Sequence, residues 1–262
     1  MSGSTTEDTR DPSAEDSERL PFTAHLEELR TRLIKCFAAV ILGFAGCYSF
    51  SQVLFDFVFA PLLRVLATQG GTLAIHRVQE GFLTHLKISL LAAVFVASPV
   101  ILYQLWKFVA PGLYRHERRY VWPFVATATM FFFTGASFAY WVVLPFGLEF
   151  LLGMAGQQVQ NLLSIEEYMA FSTKLLLAFG LVFEMPVVVF FLARMGLVTH
   201  EPLARGRGYA LIVIVIVAAI LTPPDVFTQI MMAVPLYVLY EISIVVARVC
   251  ARKREEQEAR EA

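Results

Sequence analysis

The sequence has few charges, few cysteines and no catalytic or metal-binding signature. Charged residues make up 16% of its 262 residues, well below the soluble average of about 25%. The three cysteines, Cys36, Cys47 and Cys250, lie in or beside apolar runs, so neither a disulfide framework nor a metal site is predicted. The five histidines form no HExxH pair, and neither a GxSxG elbow nor a GxxxxGK[ST] phosphate loop occurs. We therefore expect no enzyme activity, no cofactor and no nucleic-acid partner.

Apolar residues dominate instead, at 57% of the chain with a mean hydropathy of +0.63. They concentrate in six runs, and all but the fifth reach the length of ~20 residues that a spanning helix needs. Long uninterrupted runs favour helices, because backbone groups in lipid have to be hydrogen-bonded within the segment. The sequence thus predicts an all-α polytopic membrane protein with six transmembrane helices. The runs lie near 33–55, 83–105, 121–145, 169–193, 209–222 and 226–247.

The distribution of positive residues predicts that both termini are cytoplasmic. On that assumption, the inside segments hold 16 of the 21 Lys and Arg residues, and the outside segments hold only Arg64 and Arg77. Lys35, Lys87 and Lys174 remain, at helix ends where long side chains can snorkel. The inside segments are 1–32, 106–120, 194–208 and 248–262.

The ends of the chain differ in composition from this membrane domain, which we place at 21–248. Residues 1–20 are rich in Asp, Glu, Ser and Thr, which predicts a disordered cytoplasmic leader. Residues 22–33 repeat apolar positions at helical spacing, as expected of an amphipathic helix at the inner membrane surface. The charged tail 249–262 is a solvated helix extension or a frayed end. On the outer side, 53–68 reads as a second amphipathic piece broken at Pro61.

A basic cluster around one acid follows the second run. Tyr103 and Trp106 are aromatic types that settle at headgroup level, and Pro111 stops the helix. Glu117 then stands among Arg115, Arg118 and Arg119. The pattern allows two interpretations, a docking point for a basic ligand and a solvated loop with an internal Arg–Glu pair.

Glu184 is an acid near the middle of the fourth run. A charge at the bilayer centre costs ~3 kcal/mol or more, so such a residue usually faces protein or water and marks function. Pro186 removes a helical hydrogen bond and predicts a kink beside it. The alternative interpretation is a protonated, hydrogen-bonded core glutamate.

The fifth run is short. Its fourteen residues, 209–222, reach only ~21 Å against a hydrocarbon core of ~30 Å. Thr222-Pro223-Pro224-Asp225 then turns the chain back, and Thr228 and Gln229 make the tip of this hairpin polar. Either the bilayer thins there or a neighbouring subunit covers the deficit.

Six segments together resemble the TatC family, the multispanning receptor subunit of the twin-arginine protein translocase. They occur in order from about residue 22 to residue 248, nearly the whole chain. The acidic leader before Pro21 and the loosely matching stretch 79–82 depart from the family pattern. The segments are His25–Arg30 (HLEELR), Ser98–Trp106 (SPVILYQLW), Pro111–Leu113 (PGL), His116–Arg119 (HERR), Phe183–Pro186 (FEMP) and Leu221–Asp225 (LTPPD).

The resemblance implies a location, partners and site residues. It implies a multi-pass protein of the bacterial inner membrane that binds twin-arginine signal peptides and exports folded proteins with the proton-motive force. It also implies assembly with single-span TatA/TatB-type subunits and self-association within the lipid bilayer. Glu28 and Glu117 would contact the arginines of the signal peptide, within a binding site that includes Arg30, Arg118 and Arg119. Glu184 with Pro186 would form an intramembrane partner site, and Pro61, Asp225 and Gln229 would be functional on the outer side.

Two other functions stay open from the residues alone. A proton-coupled small-solute transporter would use Glu184 as its carrier site, although the two halves show no inverted repeat. An inert membrane scaffold would need none of Glu28, Glu117 and Glu184.

Overall fold

The computed structural model describes residues 12–69, 71–75, 77–109, 121–154, 161–222 and 225–261. Within these ranges the chain is helical apart from turns and two four-residue strands, which confirms the all-α prediction. A π-helical turn, Ala139–Val143, joins α4 to α5 in one long helix. The elements are α1 Pro12–Tyr48, α2 Ser51–Gln69, β1 Gly71–Ala74, α3 Glu80–Val109, α4 Val121–Phe138, α5 Leu144–Gly153, β2 Asn161–Ser164, α6 Ile165–Phe183, α7 Met185–Arg194, α8 His200–Arg205, α9 Arg207–Leu221 and α10 Val226–Glu261.

Six helices among the described residues are long and apolar enough to cross a membrane. Five of them match predicted runs, although the first run was wrong at its end, because α1 stops at Tyr48 and α2 begins at Ser51. The sixth helix by length and composition is α2, whereas α9, at 15 residues, is a shorter apolar helix. The candidate spans are Leu26–Tyr48, Ser51–Gln69, Glu80–Phe108, Trp122–Gly153, Ile165–Arg194 and Val226–Arg252.

Connectivity separates α2 from the helices that run through the bundle. The last turns of α1 pack against the start of α3, where Phe44 and Lys87 line one groove, so α1 ends where α3 begins. α2 follows α1 after a two-residue turn and leads into β1, which pairs with the strand before α6. Both ends of α2 therefore lie at one end of the bundle, and the helix lies across that end.

α9, unlike α2, crosses the bundle from one end to the other. The last part of α10 packs on α7, where Ala247 meets Val189 and Ala193. The first turn of α10 lies at the opposite end, where the ring of Phe227 stacks at 4.0 Å on Phe150 of α5. α9 leads from the α7–α8 end to the start of α10, and so it crosses in only ~22 Å. The short fifth run is thus a short crossing helix.

Pro61 does not break α2, contrary to the prediction from its residue type. The helix is continuous from Ser51 to Gln69, and Pro61 is buried inside it. A proline removes the donor for the carbonyl four residues earlier, which here is that of Phe57. The Tyr140 hydroxyl donates to this carbonyl, and the Tyr168 hydroxyl donates to the adjacent carbonyl of Val58 at 2.7 Å. Tertiary donors therefore replace the one that proline lacks. The predicted amphipathic character of this segment is confirmed, since its buried residues occupy one face.

A buried acid joins the start of α3 to the start of α6. β1 pairs in parallel with β2, with Gly71 opposite Asn161 and Ala74 opposite Ser164. Glu80, 4% exposed, accepts hydrogen bonds at Oε1 from the Ser164 hydroxyl at 3.0 Å and the Glu166 N–H at 2.9 Å. Its Oε2 accepts from the Arg77 N–H at 3.3 Å. The start of α6 is thus capped by a side chain more than 80 residues away.

The two ends of the described chain are helical. α1 begins at Pro12, so the segment 22–33 and the first span form one uninterrupted helix. Residues 1–11 of the predicted leader lie outside the described residues. α10 continues to Glu261, which matches the helix-extension alternative for the charged tail.

Candidate functional site

The acid predicted in the HERR motif lies outside the described residues. Glu117, Arg118 and Arg119 fall between α3, which ends at Val109, and α4, which begins at Val121. Aromatic contacts join the two flanking helices. The Trp106 ring lies 3.7 Å from Phe124 of α4 and 3.8 Å from Phe191 of α7, both edge-on. The end of α3 and the start of α4 are therefore held together at this end of the bundle.

Glu28 lies in α1 at the same end of the bundle as these aromatic contacts. The guanidinium of Arg32, one turn later, donates to Glu28 Oε1, with Nε at 3.1 Å. A longer contact of 3.5 Å joins Arg32 Nη1 to Gln104 Oε1 in α3, two residues before Trp106. The Glu28 side chain remains 38% exposed, whereas that of Arg32 is only 12% exposed. Arg30 is exposed on the same helix. The structure thus brings Glu28 and a guanidinium together beside the end of α3.

Two glycines set the register of the helix pair that carries Glu184. A Cβ at Gly135 of α4 would lie 2.4 Å from the Phe179 carbonyl oxygen and 2.7 Å from Phe183. A Cβ at Gly180 of α6 would lie 2.8 Å from the Phe132 ring. Each glycine thus makes room for a phenylalanine of the facing helix. This close crossing brings the end of α6 against α4.

Glu184 occupies the junction between α6 and α7. Pro186, in the first turn of α7, has no N–H to donate to the Val182 carbonyl. The Glu184 N–H donates instead to the carbonyls of Leu181 and Val182. The predicted interruption is therefore present, one residue wide. The Glu184 side chain lies beside the Phe132 backbone and is 6% exposed. Its Oε1 has no hydrogen-bond partner among the described residues.

The residues predicted for the outer side make structural contacts. Asp225 precedes α10 and accepts from the N–H of Thr228 at 2.7 Å and from its hydroxyl. Gln229 Nε2 donates to the Val215 carbonyl of α9 at 3.1 Å. Asp225 therefore caps α10, and Gln229 ties it to α9. Pro61, as described, lies within α2.

Sequence reasoning missed several polar contacts between distant segments. They include the hydrogen bonds that Glu80 accepts and those that Tyr140 and Tyr168 donate to α2. The ion pair of Arg207 with Glu241 is another. Arg207 donates from Nε at 2.7 Å and from Nη2 at 2.9 Å to the two carboxylate oxygens of Glu241. The partners are 34 residues apart, so no local pattern identifies them. Among the described residues, no group of three or more His, Cys, Asp or Glu side chains is placed to hold a metal ion.

Comparison with known proteins agrees with this architecture. Residues 24–235 match the family model described as Sec-independent protein translocase protein (TatC). A protein of that name from Desulforapulum autotrophicum is 48% identical over 243 residues, covering 93% of this chain and 90% of the relative. The protein of that name from Escherichia coli K12 is 40% identical over 246 residues, covering 94% of each chain.

A solved structure matches as well. The crystal structure of a twin-arginine translocase receptor, TatC, superposes with a TM-score of 0.79 at 40% identity, covering 86% of this chain and 99% of the other. The chain therefore belongs to the TatC family, the multi-pass translocase proteins of the bacterial inner membrane, as its motifs predicted.

Proposed function

We propose that this chain is the signal-peptide receptor of a twin-arginine translocase and that Glu28 and Glu117 bind the paired arginines. The observation that carries this proposal is the Glu28 carboxylate, which holds the guanidinium of Arg32 at an exposed end of the bundle. A carboxylate holds the planar guanidinium through paired hydrogen bonds, which a lysine ammonium cannot match. A signal-peptide arginine has the same chemistry as Arg32.

In the binding step, a guanidinium of the signal peptide replaces that of Arg32 at Glu28. Arg32 contacts both Glu28 and Gln104, so it keeps one polar contact when an incoming arginine takes its place at Glu28. Glu117 supplies a second carboxylate from segment 110–120, which links α3 to α4 in the chain. Arg30, Arg118 and Arg119 complete the proposed site. Two acids thus recognise two neighbouring arginines.

Glu184 serves a different partner within the membrane. Leaving a buried polar atom unpaired costs on the order of 1–3 kcal/mol, which a polar group from another chain removes. We assign this role to the membrane helix of a single-span TatA/TatB-type subunit, docking at the interruption that Pro186 creates. The outer end of the bundle is stabilised by Pro61, Asp225 and Gln229 for assembly and self-association. Export of folded proteins then draws on the proton-motive force.

Orientation follows from the charge distribution, with both termini in the cytoplasm. Single cysteines at Thr5 and Glu258 should react with an impermeant reagent only after the membrane is opened, and one at Gly156 should react in intact cells. The reverse pattern would invert the assignment.

Photocrosslinking tests the receptor role directly. A photoreactive residue at Leu29 or at His116 should crosslink to a twin-arginine signal peptide, and one at exposed Gln69, the last residue of α2 at the opposite end of the bundle, should not. A twin-lysine peptide is the matched ligand control and should crosslink less. Equal crosslinking of both peptides, or crosslinking at Gln69 alone, would refute the proposal.

A further inference from the structure

An apolar groove opens between α4 and α7 in the half of the bundle that ends at Arg194. Its volume is about 430 Å³, within the range of small-molecule sites. Its walls include Phe124 and Phe131 of α4, Val187 and Phe190 of α7, and Val246 of α10. Of the described residues that line it, Arg194, in the last turn of α7, is the only charged one. We call this space the α4–α7 groove.

The groove results from the interruption at Glu184. Before that residue, the glycine contacts hold α6 close against α4. After it, α7 packs on α10 through Val189, Ala193 and Ala247. α4 and α7 therefore diverge, and the groove opens between them.

One end of the groove lies at the level of the membrane surface. Phe124 and Phe191 line it, and both pack on the ring of Trp106, an aromatic type enriched where hydrocarbon meets headgroups. Arg194 stands at the same end, followed by the left-handed turn at Gly196 (φ 74°) that ends the helix. The site thus combines an apolar trough with a guanidinium at headgroup depth.

We propose that the α4–α7 groove binds one anionic phospholipid, with an acyl chain in the trough and the phosphate on Arg194. Guanidinium groups bind phosphate oxygens through paired hydrogen bonds, and basic pockets between transmembrane helices on the cytoplasmic side bind anionic lipid headgroups. The apolar lining and the Arg194 guanidinium fit one acyl chain and its phosphate, and the partner helix proposed for Glu184 would compete with this lipid where Pro186 lines the groove.

Native mass spectrometry of the full chain with phosphatidylglycerol or phosphatidylcholine tests the site. We expect one phosphatidylglycerol to be retained, about tenfold more tightly than phosphatidylcholine, which corresponds to ~1.4 kcal/mol. Arg194→Ala should remove that preference, and Arg194→Lys should keep part of it. Arg205→Ala is the matched control, because Arg205 lies on α8 of the same end, is 83% exposed and does not line the groove. It should leave the preference unchanged.

A second variant tests the trough separately from the charge. Thr127 lines the groove at an exposed position of α4, so Thr127→Trp should fill it without disturbing the core. Retention of both lipids should then fall together. Equal retention of the two lipids by the unsubstituted chain, or an Arg194→Ala variant that keeps the preference, would overturn the proposal. So would displacement of the lipid by inorganic phosphate alone or by a twin-arginine signal peptide.

Discussion

The hydroxyl of Tyr140 donates a 2.5 Å hydrogen bond to the Phe57 carbonyl, the group that Pro61 deprives of its helical donor. Tyr140 and Phe57 are 83 residues apart, and the centroids of their stacked rings are 4.6 Å apart. A helix that lies across the end of the bundle is thus held at its proline by the long helix α4–α5.

This pairing predicts a dependence between two substitutions. Tyr140→Phe should lower the free energy of unfolding by ~1–3 kcal/mol, because it leaves a carbonyl without a donor. In a Pro61→Ala background the alanine N–H can serve the same carbonyl, so the cost of Tyr140→Phe should shrink. Thermal unfolding in detergent measures the four proteins of this cycle. Purely additive effects would show that the two residues are uncoupled.

The glycine contacts between α4 and α6 predict a sharp size limit. Gly135→Ala or Gly180→Ala should destabilise by roughly 1–3 kcal/mol or more, since the new Cβ meets a backbone oxygen or a packed ring. Gly46→Ala is the control, because no atom lies within 4 Å of a Cβ there, and alanine stabilises a helix by up to about 1 kcal/mol over glycine. Similar unfolding temperatures for all three variants would contradict the close crossing.

The cap that Glu80 forms at the start of α6 predicts different outcomes for two nearby acids. Glu80→Gln should destabilise by about 1–3 kcal/mol, because both carboxylate oxygens accept hydrogen bonds and an amide NH₂ would face a donor. Glu166→Gln removes only a half-exposed pair with Lys87 and should cost at most ~1 kcal/mol. Hydrogen exchange at the amides of 71–74 and 161–164 should accelerate in the first variant alone. Unchanged exchange there would show that Glu80 does not hold the cap.

Signal-peptide binding should depend on Glu28 and Glu117. Glu28→Ala or Glu117→Ala should weaken binding of a twin-arginine peptide by ~1–3 kcal/mol, with solvent at the 38%-exposed Glu28 favouring the lower figure. Lysine at either position should weaken it further through like-charge repulsion. Glu27→Ala, at an exposed neighbour on α1, should have no effect. Peptide affinity measured in detergent decides, and unchanged affinity in both alanine variants would refute the assignment.

Glu184 should affect partner assembly without affecting that affinity. Glu184→Ala should weaken the affinity for a single-span subunit, measured by crosslinking, by ~0.6–2 kcal/mol, the range for a polar contact within a membrane. Glu167→Ala, at an exposed acid of the same helix, is the control. Substantial export by Glu184→Gln indicates a polar contact, whereas lost export with normal assembly indicates a proton-carrying group. Unchanged crosslinking and export in Glu184→Ala would make this a tolerated core acid.

The sequence by itself determined the class of protein and most of its spans. Apolar runs of helical length have one stable conformation in lipid, so composition and length were enough for five of the long helices. The six motifs identified the family because they are local and in order. Pro186 located the interruption beside Glu184, because the lost donor is a property of one residue.

The sequence predicted 209–222 as a spanning run and 53–68 as an amphipathic piece, and the connections at the ends of α1, α3 and α10 agree with that prediction, although length and composition alone favour α2 over α9. Only the tertiary structure decided what holds α2 across the end of the bundle. It also decided that α2 continues through Pro61, since the missing donor is replaced by Tyr140, 83 residues away. Glu80 and its partner Ser164 are likewise separated by 84 residues. A hydrogen bond between distant segments leaves no periodic or spacing signal in the chain, because it depends on how the helices pack and not on what either segment does alone.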